Sequence, residues 1–328
     1  MDPERISVVV PAYNTAAWLA GSLDSLLAQT YANLEVIVVN DGSTDDTRQV
    51  LDAYKAQHPQ VKVIHQENGG VTAARMRGVQ AASGDWIGFL DGDDLIEPWM
   101  YQRLLDNAHA HQAQISHCGH LVQFPDGRIS YVHNTGQLRI QQGLTGVLDL
   151  LDGSMVESSL CTKLFRRELF LGLEAFLDPS ITINEDYLMN YYLFAQTDRA
   201  VFEDVCPYRY QLRPGSASYR VLHEHSIFDP IRVRYKILEH CAPELKEAAR
   251  QALLRNCLFA YAQLAVNGEK KYDDFRRRVR QELREQREYF PLLSVRNRIL
   301  ANMIYLAPWS FTLAYRAYVA LFQREEEH

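Results

Sequence analysis

Trp86-Ile87-Gly88-Phe89-Leu90-Asp91-Gly92-Asp93-Asp94 is an apolar run that breaks abruptly into three carboxylates around a glycine. A short apolar run bounded in this way reads as a strand buried on both faces. Upstream the same pattern recurs three times. Ile6-Ser7-Val8-Val9-Val10 leads to Pro11-Ala12-Tyr13-Asn14, the run at 34–39 leads to Asn40-Asp41-Gly42-Ser43, and Val61-Lys62-Val63-Ile64 leads to Gln66-Glu67-Asn68-Gly69-Gly70. Between these runs, residues 18–27, 45–56 and 71–82 carry helical apolar spacing. Strands alternating with helices over short connections predict an α/β fold, with a mostly parallel sheet, right-handed crossovers and helices on its faces. Ligands of such sheets bind beyond the carboxyl ends of the strands, which is where the polar residues collect.

From Pro98 the rhythm changes to a helix through about residue 110, a strand near 115–124, a Pro125-Asp126-Gly127 turn and a returning strand. This is a β-hairpin pattern in a less regular half that completes a pocket. Beyond Ser226 only helical patterns follow, at about 227–241, 243–266 and 272–289, with a last apolar segment at 299–322. No internal repeat is visible.

The 328 residues, 47% hydrophobic and 23% charged, exclude a disordered, collagenous or low-complexity chain. Five widely spaced cysteines without a C-x-x-C indicate neither a disulfide framework nor a structural zinc site, and read as reduced thiols of a cytosolic protein. The apolar run after Met1 is too short for a signal peptide, so export is not expected. Net charge divides unevenly: residues 1–210 hold 14 Lys/Arg against 27 Asp/Glu, and residues 211–328 hold 20 against 14. The acidic front argues against nucleic acid as a partner, whereas the basic rear suits either an anionic surface or ordinary solvated helix faces.

On an extended chain, alternation puts Asp91 and Asp93 on one side, about 6–7 Å apart, a spacing suited to one hard divalent ion. A bare Asp-x-Asp reads first as a surface turn. Taken together, Pro11-x-Tyr13-Asn14, Asp41-Gly42-Ser43-Thr44-Asp45, Asn68-Gly69-Gly70 with Ala74-Arg75, and Asp91-Gly92-Asp93 resemble the family 2 glycosyltransferases of bacterial polysaccharide biosynthesis. These are inverting enzymes of the GT-A fold that use nucleotide sugars, and the likeness runs over about residues 5–220.

That resemblance implies a nucleotide-sugar-binding half at 1–100 and an acceptor-binding half at 101–226, and the helical patterns beyond it make 227–328 a C-terminal helical region with a candidate membrane-interface helix. It places Pro11, Tyr13, Asn14, Asp41, Gly42, Asn68, Arg75, Asp91 and Gly92 around the nucleotide. Tyr13 is expected to stack on the base, Asp41 to hydrogen-bond it or the ribose, and Arg75 to support the same end. A carboxylate can accept the ring N–H of uracil, so a UDP-sugar is the expected donor. Asp91 and Asp93 are expected to hold Mn²⁺ or Mg²⁺. In Thr182-Ile183-Asn184-Glu185-Asp186, which alone reads as an acidic helix start, Asp186 is implied as the general base and Glu185 as its geometric support.

Arg213 and Ser216, in a stretch resembling the family's Gly-Ser-x-Ser loop, would meet the diphosphate. Lys163-Leu164-Phe165 matches a pocket wall, with Cys161 where the family often has Trp and Met76 where it often has Asn. His223 and His225 read as surface histidines rather than metal ligands. The segment 299–322 is long enough to cross a bilayer but is interrupted by Asn302, Pro308, Ser310, Thr312 and Arg316, so it reads as one in-plane interfacial helix or as a helix packed on the enzyme. The expected activity is metal-dependent transfer to a glycan or lipid-linked acceptor, in a cytoplasmic protein peripheral to the anionic inner membrane. A catalytically silent nucleotide-sugar or glycan binder on the same fold is the alternative.

Overall fold

The computed structural model describes residues 3–132, 134–153, 155–213, 222–267 and 269–322. The chain forms two compact units, residues 1–220 and 221–328. In the first unit β1 (Ile6–Ala12), α1 (Ala16–Leu27), β2 (Leu34–Asp41), α2 (Thr47–Gln57), β3 (Val61–Gln66), α3 (Val71–Ala81) and β4 (Trp86–Phe89) follow the expected alternation. Then come β5 (Leu95–Ile96), α4 (Met100–Ala110), β6 (Ile115–Gln123), β7 (Ile129–Tyr131), β8 (Leu138–Gln142) and α5 (Thr145–Asp152). The unit finishes with β9 (Lys163–Arg166), α6 (Leu173–Phe176), α7 (Glu185–Ala195) and β10 (Arg199–Gln211).

One sheet runs β3-β2-β1-β4-β9-β6-β10-β5, with β7 on β6 and β8 on β10. The parallel pairing expected from the βα rhythm holds across β3-β2-β1-β4 and gives way to antiparallel pairing where β9 joins β4 and β6. Val8, Val9, Val10, Val36, Ile37, Val38 and Val39 are wholly buried, as strands covered on both faces require. Pro11, which has no N–H to give, lies beyond the last β1–β4 pair, Val9 with Phe89. All four parallel strands therefore end on the same edge.

At the opposite end of the sheet two carboxylates knot the strand starts together. Glu35 accepts from Ser7 Oγ (2.5 Å), Ser83 N (2.9 Å) and Ser83 Oγ (3.0 Å) and pairs with Lys62. Glu4 accepts from Trp86 Nε1 (2.8 Å) and pairs with His109 and Arg166 (both 2.7 Å). Burial opposes their ionisation, yet these donors outweigh it and hold each carboxyl down at about 2.

The second unit is helical: α8 (Glu224–His240), α9 (Lys246–Asn267), α10 (Asp273–Glu285), α11 (Val295–Leu306) and α12 (Pro308–Phe322). The single helix expected over 299–322 is corrected to two. Pro308 supplies no N–H and restricts the residue before it, and Ala307 leaves helical geometry at φ −141°, ψ 71°. Much of the basic surface expected here is spent inside the unit. Arg276 donates to the carbonyls of Leu264 and Glu269, Arg280 to those of Ile304 and Tyr305, and Arg316 to that of Ala265, while Arg278 grips Glu224. His223 starts α8 as a capping residue and His225 pairs with Asp229 at 3.0 Å. No described helix is long and apolar enough to cross a membrane. The five cysteines are all buried and none forms a disulfide.

Candidate active site

The loops after β1, β2 and β3 interlock before any ligand is considered. Asn14, in the left-handed region at φ 53°, accepts from Thr44 N (2.8 Å) through its side chain and donates its own N–H to Ser43 Oγ (3.0 Å). Its contacts make it a brace between the β1 and β2 ends. Asp41 is 3% exposed and accepts from Gln66 Nε2 (2.8 Å), Gly69 N (2.9 Å) and Gly70 N (2.8 Å). Three of its four acceptor positions thus hold the turn that starts α3, leaving one on Oδ2. Gly42 is obligatory, because φ is +72° and a Cβ there would stand 2.7 Å from Asn68 N. Asn68 is exposed, and Tyr13, 51% exposed, presents an open phenol face beside these loops.

Asp91 to Asp94 is a turn, closed by Asp94 N on Asp91 O at 3.1 Å. This corrects the extended geometry expected of the Asp-x-Asp pair: β4 stops at Phe89, so strand alternation does not orient the two carboxylates. Each meets a guanidinium instead. Arg75 Nη2 lies 3.1 Å from Asp91 Oδ1, and Arg213 pairs with Asp93 while lying 3.7 Å above the Trp18 ring. A Cβ on Gly92 would come within 3.3 Å of Pro11 O and Thr15 Oγ1, so this turn rests on the end of β1.

Asp91 and Asp93 remain partly exposed, at 34% and 24% of their side chains. Two hard carboxylates, each facing a guanidinium yet partly exposed, fit a Mg²⁺- or Mn²⁺-type ion that takes its other ligands from phosphate and water. Among the described residues no group of three or more His, Cys, Asp and Glu forms a self-sufficient metal cage.

Arg75 was expected at the nucleoside end, but its bonds place it elsewhere. Only 6% exposed, it spans from Asp91 to Glu185, with Nη1 2.8 Å from Glu185 Oε1. Burial works against its charge, and the Asp91 and Glu185 carboxylates more than restore it. The strand-end carboxylate of β4 and the first residue of α7 therefore share one guanidinium. Asn184 turns the chain into α7 in the left-handed region (φ 70°), bringing Glu185 and Asp186 to the helix N-terminus.

Asp186 accepts from Tyr187 N at 2.7 Å. Burial pushes its carboxyl up to about 7, the Glu185 charge adds to the rise, and Arg75 opposes it. Lys163, expected on a pocket wall, is fully buried and donates to Glu157 O (2.8 Å) and Ser159 O (2.5 Å). Burial lowers it to about 8 against the Glu157 and Asp186 charges. Cys161, in place of the family's Trp, is also fully buried.

The sequence reading missed Asp94 and Trp18. Asp94 sits 2% exposed beneath the turn, and burial together with the Asp91 charge drives it up to about 7 against hydrogen bonds from Tyr208 and Gln211. A third carboxylate after an apolar strand was the available signal, whereas Trp18 looks like any apolar residue of α1. Ser216 and the Gly-Ser-x-Ser stretch lie outside the described residues.

Residues 7–172 match the family model described as Glycosyl transferase family 2. The chain is 34% identical over 214 residues to "Uncharacterized glycosyltransferase EpsJ" of Bacillus subtilis (strain 168), covering 64% of this chain and 62% of that protein. With "Glycosyltransferase GlyA" of Streptococcus pneumoniae serotype 4 (strain ATCC BAA-334 / TIGR4) the identity is 29% over 255 residues, 74% of this chain and 36% of that protein. The chain thus spans less than two thirds of the length of these curated relatives. Crystal structures of S. aureus TarS 1-349, alone and in complex with UDP-GlcNAc, are similar in fold, with TM-scores of 0.68 and 0.69 at 18% and 19% identity; each comparison covers 98% of this chain and 92% of the other.

Proposed function

Because the chain belongs to glycosyl transferase family 2, and is a glycosyltransferase of GT-A fold, we propose that it moves a sugar, with inversion, from a nucleotide sugar to a hydroxyl of a glycan or lipid-linked saccharide in surface polysaccharide synthesis. The observation that carries this reading is the Arg75 bridge, which joins a donor-side carboxylate, Asp91, to the acceptor-side helix bearing Glu185 and Asp186. S. aureus TarS is known in complex with UDP and with UDP-GlcNAc, which supports a uridine nucleotide here. The exposed Tyr13 ring suits base stacking, and the remaining Asp41 acceptor position suits the uracil imide N–H.

Asp91 and Asp93 would hold Mn²⁺ or Mg²⁺, which when bound neutralises charge gathering on the departing diphosphate. Asp186 takes the proton from the acceptor hydroxyl as its oxygen attacks the anomeric carbon, and a carboxylate titrating near 7 is well matched to that task. Glu185, anchored by Arg75, orients the base, while Arg213 and Ser216 meet the diphosphate. A panel of nucleotide sugars with Mn²⁺, scored for nucleoside diphosphate release, tests this reading. Release from a UDP-sugar that chelator stops is expected; no release from any donor that the protein demonstrably binds would reject it.

For the second unit the proposed partner is the anionic cytoplasmic face of an inner membrane. Val295, Ile299 and Leu306 fall on one face of α11, Trp309 and Leu313 on one face of α12, and all five are exposed. Arg296 and Arg298 are exposed beside them, and residues 289–322 contain no acidic residue. Apolar side chains with flanking cations suit the lipid interface. Replacing Trp309 and Leu313 by Ser should reduce co-sedimentation with phosphatidylglycerol vesicles without lowering the melting temperature. Sedimentation equal to that of the wild type would reject the membrane reading.

A further inference from the structure

Asp94 accepts two hydrogen bonds from a single strand, from Tyr208 Oη at 2.6 Å and from Gln211 N at 2.8 Å, both on β10. A third bond reinforces the seam, since Gln211 Nε2 donates to Asp93 O at 3.0 Å. Beside it, Leu95 and Ile96 of β5 pair with Arg209 and Tyr208. The carboxylate is 2% exposed, and each of its oxygens is already held by a donor of β10. Its effect is geometric. On one side it fixes the turn carrying Asp91 and Asp93; on the other it fixes the end of β10, two residues before Arg213. Arg213 meets Asp93 on the Trp18 ring, and its Nε has no hydrogen-bond partner among the described residues.

We propose that Asp94 is a positioning residue that sets the spacing between the Asp91–Asp93 turn and Arg213, and thereby the grip on the diphosphate of the donor. The proposal rests on the reading above that this site takes a nucleoside diphosphate. The nucleoside contacts proposed above lie on the β1, β2 and β3 loops, whereas both hydrogen bonds that Asp94 accepts come from β10, so the two ends of the ligand are expected to respond differently. Asp94→Asn keeps the side-chain volume but presents an NH₂ group to one of the two β10 donors. Tyr208→Phe removes one donor and leaves the carboxylate.

The test is calorimetric titration of the full chain with UDP and, separately, with uridine, both in Mn²⁺, beside a melting curve. Loss of a hydrogen bond to a charged group predicts about tenfold weaker UDP binding in Asp94→Asn, a smaller loss in the same direction in Tyr208→Phe, and unchanged uridine binding in both. Tyr208→Phe decides alone if the Asn variant does not fold. Unchanged UDP affinity, or equal weakening of UDP and uridine, overturns the proposal. A wild-type protein that binds UDP no better than uridine overturns the diphosphate reading beneath it.

Discussion

Four carboxylates of the first unit, two where the parallel strands begin and two beyond their carboxyl ends, are treated in opposite ways. Where the parallel strands begin, Glu4 and Glu35 are surrounded by donors and held at about 2. Where they end, Asp94 is lifted to about 7, as is Asp186 at the start of α7, because burial there outweighs the available hydrogen bonds. The composition of the two ends is similar, with acids, hydroxyls and cations in each; what differs is how completely each acid is satisfied. A satisfied carboxylate stabilises the fold, whereas an under-satisfied one is free to exchange a proton.

The sharpest way to break this contrast is Asp186→Asn. The amide keeps size and hydrogen-bonding capacity but cannot take a proton, so kcat should fall by about 10²–10⁴ with donor affinity nearly unchanged. Stability should move the other way. A carboxyl whose folded pKa is raised costs stability as pH rises from the unfolded value through about 7. Above that pH the Asn variant should melt higher, by about 2–4 °C per kcal/mol gained. Simultaneous loss of melting temperature and turnover would make Asp186 a structural residue like those at the other end.

Next in size is Asp93→Ala, which should weaken Mn²⁺-dependent UDP-sugar binding at least as much as the ~10–100-fold typical of losing a group behind a metal ligand. The fold should survive, because the side chain is partly exposed. Undiminished metal-dependent binding by calorimetry would remove Asp93 from the ion site.

At the start of the strands the smallest effect on chemistry should accompany a clear effect on stability. Glu35→Gln weakens a buried carboxylate that Ser7, Ser83 and Lys62 satisfy, and should cost about 1.5–3 kcal/mol, with the kcat of the folded protein intact. The native contributions of Glu4 and Glu35 are fully present above the unfolded carboxylate range near 4.5 and are lost as pH falls toward about 2. A Glu35→Gln protein with normal stability and impaired turnover would dissolve the distinction between the two ends.

Much of this arrangement was legible in the sequence. Short apolar runs ending in polar clusters located β1 to β4 and put Tyr13, Asp41 and Asp91 on one edge, because strand burial is written in local patterning. What the sequence did not show was pairing across distance. Arg75 and Glu185 are 110 residues apart, and Asp94 reaches Tyr208 across 114; no local period records either contact. The Asp91–Asp94 turn was misread as extended because strand alternation was carried two residues past the end of β4. The break at Pro308 was visible as a proline, but the interruptions of the 299–322 segment were weighed against membrane crossing rather than against helix continuity.

The central claim, that under-satisfaction at the carboxyl edge makes Asp186 the base, is tested most directly by the pH dependence of kcat at saturating donor for wild type and Asp186→Asn. The wild type should lose turnover as pH falls through about 7, where the carboxylate takes up its proton, and the Asn variant should show only slow residual turnover without that limb. A limb near 7 that persists unchanged in the Asn variant at near-normal rate would contradict the account and move the base to another group.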